Sequence, residues 1–112
     1  MSRDVPLHPR WSHLADRLPP SLEDLRGPAT GVVHLPQHLA WSGLTEFDLA
    51  DERLVIGLYR IVLNNGQRED LVTYLNSDLL HQHWPLLRRV VGKPLRTCWE
   101  QHFPALAPAA AA

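Results

Sequence analysis

Between Asp51 and Pro104 apolar side chains recur at intervals of three and four, the spacing that gathers them on one face of a helix. Leu54, Leu58, Ile61 and Val62 share a side of the first segment, with Glu52, Arg53 and Arg60 largely outside it. This predicts a helix over residues 51–64, capped by Asp48 or Asp51. Asn64-Asn65-Gly66 tolerates positive φ and closes that helix. Leu71, Tyr74 and Leu75 fall on one side of a second helix over residues 67–76, whose first turns hold Glu69 and Asp70. Ser77 caps a third helix bearing Leu79, Leu80, His83 and Trp84. Pro85 is expected to break or kink it, because proline removes a donor and crowds the preceding turn. Residues 86–91 form a further apolar-basic segment closed by Gly92. Pro94 then opens a last helix with Leu95, Cys98, Trp99 and His102, which stops before Pro104.

Upstream the pattern changes. Gly31-Val32-Val33-His34-Leu35 begins with β-branched residues, Ser42-Gly43 is a turn signal, and Thr45-Glu46-Phe47-Asp48-Leu49 alternates polar with apolar; together they predict a small hairpin or two extended segments. Two strands are marginal alone, so they are expected to lie on the helices. Ser21-Leu22-Glu23-Asp24 reads as a capped helical turn stopped by Gly27-Pro28. Residues 1–20 hold Pro6, Pro9, Pro19 and Pro20 without sustained periodicity, which predicts an extended arm that Trp11 and Leu14 would pack onto the body or a partner. Residues 107–112 form a frayed Ala/Pro tail. The expected fold is mainly α: a single domain over residues 21–106, built as a bundle of short helices with a small β-hairpin or extended element in its N-terminal third.

Composition limits the functions open to such a domain. With 112 residues, 45% hydrophobic and 21% charged, the chain belongs with ordinary globular proteins and has length for one modest core. A net charge of -1 gives no global field to concentrate phosphates, which disfavours general nucleic-acid binding. Cys98 is the single cysteine, so an internal disulfide is excluded and a reducing cytoplasm fits best. No apolar stretch approaches the roughly 20 residues that span a bilayer, and the start Met1-Ser2-Arg3-Asp4-Val5-Pro6 lacks the apolar core of a signal peptide. The expected location is the cytoplasm, with no membrane partner.

Candidate chemistry is sparse. Of the seven histidines the closest pairs are His34/His38, with Pro36 between them, and His81/His83, which point to different sides of a helix; neither spacing suits a metal. Cys98 sits among apolar positions, Ser12-His13 and Asp16 lie in the arm, and there is no phosphate loop, dinucleotide fingerprint or nucleophile elbow. The expectation is a protein without catalytic residues, metal or cofactor. Residues 51–64 and 67–76 have the outline of a helix-turn-helix that would present Gln67, Arg68 and Thr73 to a major groove, although Glu69 and Asp70 would then face phosphates. Arg88, Arg89, Lys93 and Arg96 make the one locally one-sided charge cluster. Trp84 and Trp99 flank it, and Trp and Arg are the residue types that dominate binding hot spots.

Arg68-Glu69-Asp70-Leu71, Tyr74-Leu75-Asn76, Asp78-Leu79-Leu80, Trp84-Pro85, Trp99-Glu100 and Phe103-Pro104 follow one another in the C-terminal half. Leu25-Arg26-Gly27-Pro28, Trp41-Ser42-Gly43 and Phe47-Asp48-Leu49 precede them. This succession resembles a family of short actinobacterial proteins found beside nucleotidyltransferase-like toxins of the AbiEii/AbiGii kind, to which the mycobacterial MenT toxins are related; it covers roughly residues 22–106. The resemblance implies an antitoxin-like companion that contacts the toxin directly. Acidic Glu69, Asp70 and Asp78 would meet the basic surface such a toxin needs for RNA, while Trp11, Trp84 and Trp99 would supply buried area and Arg88, Arg89 and Arg96 polar contacts. The alternative is a small DNA-binding regulator that reads bases with its second helix.

Overall fold

A computed structural model describes residues 16–40 and 44–107. Among them are four α-helices: α1 (Glu52–Asn65), α2 (Arg68–Tyr74), α3 (Ser77–Val90) and α4 (Lys93–His102). A two-stranded antiparallel sheet of β1 (Val32–His34) and β2 (Glu46–Asp48) precedes them. The fold is mainly α with a small hairpin in the N-terminal third, as the hydrophobic periods predict.

Alternation sets the hairpin. Val33 pairs with Phe47 and both side chains are buried, while His34 and Glu46 pair on the outer face with His34 Nε2 3.3 Å from Glu46 Oε2. β2 packs on α1. Asp51 caps α1 by accepting the Arg53 N–H at 2.9 Å. The buried face of α1 is Val55, Leu58, Tyr59, Val62 and Leu63; Leu54 and Ile61, expected on the same face as Leu58 and Val62, pack against the core but are only partly buried. The face turns because Tyr59 belongs to it, sinking its ring into the core.

The α1–α2 junction departs from the expected left-handed cap. Gly66 has φ −81° and ψ 153°, which any residue adopts. Space is what requires glycine there, since a Cβ would lie 2.8 Å from the Val62 carbonyl oxygen and 2.9 Å from Asp70 Cβ. α2 stops at Tyr74, two residues before the expected end, because its last carbonyls are taken by a neighbouring segment. The Arg26 N–H donates to Val72 O and the Gly27 N–H to Leu75 O, each at 2.8 Å.

Asn76 caps α3 in place of Ser77. Its Oδ1 accepts the Asp78 and Leu79 N–H groups at 2.9 and 3.1 Å. The helix then runs through Pro85 to Val90, so the expected break does not occur. Pro85 sits on the exposed side, one turn from exposed His81, whose orphaned carbonyl water can satisfy, whereas Trp84 and Leu87 are buried in the core. Burying those two side chains, at roughly 1.5–3 kcal/mol each or more, outweighs the ~3 kcal/mol that an interior proline costs. Gly92, at φ 93°, turns the chain into α4, with Lys93 first and Pro94 second. Phe103 and Leu106 close the core behind it.

The end of the proline-rich segment reaches the body. Leu18 is buried in the core, Arg17 Nη1 donates to Gly66 O at 3.0 Å, and Arg68 Nη2 donates to Asp16 O at 2.7 Å. Trp11 and Leu14, the expected anchors of the arm, and the Ser42-Gly43 turn lie outside the described residues.

Candidate interaction surfaces

Trp84 and Trp99 are core residues, 1% and 2% exposed, so the expectation that they offer area to a partner is corrected: such side chains have nothing left to bury. They pack on each other with ring centroids 6.3 Å apart, and Trp99 packs on Phe103 at 5.4 Å. The polar edge of Trp84 is held by Glu100, a residue to which the sequence assigns no role of its own. Glu100 Oε2 accepts Trp84 Nε1 at 2.8 Å and Arg88 Nε at 2.6 Å, and Oε1 accepts Arg88 Nη2 at 3.4 Å. Burial pushes the Glu100 carboxyl up, but these hydrogen bonds and the charges of Arg88 and Arg96 outweigh it and hold the group below the usual carboxylate range.

Half of the basic cluster is therefore structural. Arg88 braces α3 against α4 through Glu100, and Arg96 Nη1 donates to Arg88 O at 3.3 Å. Arg89 and Lys93 are exposed and form no ion pair among the described residues. The acidic trio divides in the same way. Asp70 is mostly buried: its Oδ2 accepts the Gln67 N–H at 3.0 Å, while its Oδ1 lies 3.2 Å from His38 Nε2. Glu69 and Asp78 are exposed in the first turns of α2 and α3, without an ion pair among the described residues. Trp11 lies outside the described residues.

Gln67, Arg68 and Thr73 are all exposed on or beside α2, but α2 has seven residues, a rise of only ~10 Å. Arg68 is tied to the Asp16 carbonyl, and Asp16, Arg17, Gln67, Arg68 and Glu69 line an open cleft of about 610 Å³ whose charges are mixed in sign. Cys98 is buried near Arg17; burial pushes the thiol up while the arginine charge opposes it, leaving a protonated, unactivated sulfur. Three histidines lie beside carboxylates, His83 Nδ1 standing 3.5 Å from Glu52 Oε2 in addition to the His34 and His38 pairs. Among the described residues no three His, Cys, Asp or Glu side chains gather as metal ligands, and no helix is long and apolar enough to cross a membrane.

One further residue organises this half of the molecule. Asn76 makes three internal connections: its backbone N–H donates to Tyr59 Oη at 2.8 Å, its Nδ2 donates to Gly27 O at 3.0 Å, and its Oδ1 caps α3. A Ser/Asn pair before a helix signals a cap in the sequence, but the long-range contacts have no local signature. Comparison with known protein families, with characterised proteins and with solved structures finds no match to this chain.

Proposed function

We propose that this chain is a non-enzymatic binding protein, an antitoxin-like companion that neutralises a nucleotidyltransferase-type toxin by protein–protein contact in the cytoplasm. The observation that carries the reading is the pair of exposed carboxylates Glu69 and Asp78 at the starts of successive helices, neither of them in an ion pair among the described residues. A toxin that handles RNA presents a basic surface, and exposed carboxylates on a rigid scaffold meet it without reorganisation. The test is co-expression with an adjacent nucleotidyltransferase gene. The two proteins are expected to copurify and growth to recover, and Glu69→Arg together with Asp78→Arg to abolish both while the fold persists. Proteins that neither associate nor alter toxicity end this reading.

A second reading, a small DNA-binding regulator, draws on the exposure of Gln67, Arg68 and Thr73. It requires binding to the chain's own upstream DNA that weakens steeply with salt. A flat low-salt mobility-shift result removes it.

A further inference from the structure

Large apolar side chains that stand out in solvent are few among the described residues, and two of them belong to one helix: Leu86 and Val90 of α3 are each 44% exposed. Helical spacing puts them on the same side as Gln82, and this side carries Asp78 in the first turn and Arg89 in the last, all exposed. Asp78 and Arg89 stand about three turns apart, and neither has an ion-pair partner among the described residues. Acid at the start and base at the end also suit the helix's own dipole. The dipole, however, does not call for two branched aliphatic side chains in water, Leu86 between them and Val90 just past Arg89.

We propose that this face of α3 is a self-association surface on which a second copy of the chain docks antiparallel. A twofold axis crossing α3 midway between Asp78 and Arg89 brings each Asp78 opposite Arg89 of the second copy, so the pair forms twice, and it sets the two Leu86 side chains on either side of the axis. Parallel docking would instead stack Asp78 on Asp78 and Arg89 on Arg89. α3 has 14 residues, ~21 Å of helix, so one face buries less than the ~1,600 Å² of a standard stable interface; the association is reversible and concentration-dependent. This inference concerns the chain alone and does not rest on the toxin reading.

Sedimentation equilibrium of the full chain from micromolar to millimolar concentration is expected to show the mass rising toward that of a dimer. Leu86→Glu is expected to hold it at the monomer mass with an unchanged circular-dichroism spectrum. The variants Asp78→Arg and Arg89→Asp, each monomeric alone, are expected to form a heterodimer when mixed, because one copy then presents two arginines and the other two aspartates in register. A monomer at every concentration, a dimer indifferent to Leu86→Glu, or reversal variants that stay apart on mixing overturns the proposal. Should Leu86→Glu fail to fold, the mixing experiment decides alone.

Discussion

The hydroxyl of Tyr59 accepts the backbone N–H of Asn76 at 2.8 Å, joining the middle of α1 to the cap of α3. Tyr59 is fully buried and Asn76 partly so, which shields the bond from solvent. Tyr59→Phe keeps the packing and removes the acceptor. It is expected to cost about 1–3 kcal/mol, the penalty of an orphaned donor, and to lower Tm by several degrees in thermal denaturation.

The same tyrosine sets an alkaline limit. Burial raises its pKa from 10.0 to about 12, with the Asn76 hydrogen bond opposing the rise. The folded state thus holds this proton more tightly than the unfolded chain, so the contribution is complete below pH 10.0 and is lost as pH climbs to about 12. Denaturant titrations across that window should show stability falling in the wild type and a shallower fall in Tyr59→Phe; parallel slopes would refute the assignment.

Glu100 works at the acid end. Its folded-state pKa is depressed, so the stabilisation is present above the unfolded carboxylate pKa and disappears as pH drops through the lower folded value. Glu100→Ala leaves the buried Trp84 indole N–H without a partner, and is expected to cost about 1–3 kcal/mol at neutral pH. The difference from wild type should shrink as pH falls below the ordinary carboxylate range, read from indole fluorescence during urea unfolding.

Two glycines are expected to respond in opposite directions. A Cβ on Gly27 would meet the backbone of Tyr74 at 2.4 and 2.5 Å and of Leu75 at 2.8 Å, where neither chain has a flexible end to yield. Gly27→Ala should therefore destabilise by about 3 kcal/mol or more. Gly57 lies within α1 with its nearest neighbour, Phe47 Cε2, at 3.9 Å, so Gly57→Ala should stabilise by roughly 0.5–1 kcal/mol through helix propensity. Chemical denaturation of both variants checks the pair.

Pro85→Ala restores a backbone donor to the His81 carbonyl inside α3. Since Pro85 is exposed and not among the buried core residues, the substitution should raise Tm. An unchanged or lowered Tm would mean that the proline's restriction of the unfolded chain matters more than the missing bond.

Local physics was legible in the chain. The β-branched Val32-Val33 and the alternation around Phe47 announced the hairpin, Asp48 or Asp51 announced the start of α1, and the three-and-four spacing announced the helices, because each signal depends on neighbours within a few residues. What only the tertiary structure decided involves residues far apart. Trp84 and Trp99 read as contact residues, yet packing on each other and on Phe103 consumes them, with Glu100 taking the indole N–H from 16 positions away. Pro85 read as a break, yet core burial on the opposite side of α3 carries the helix through it. Gly27 and Gly66 read as stops, but their small size is needed because other backbone comes within van der Waals reach. Periodicity determines which face of a helix is apolar; which neighbour occupies that face, and so which side chains remain for a partner, is settled only when the elements meet.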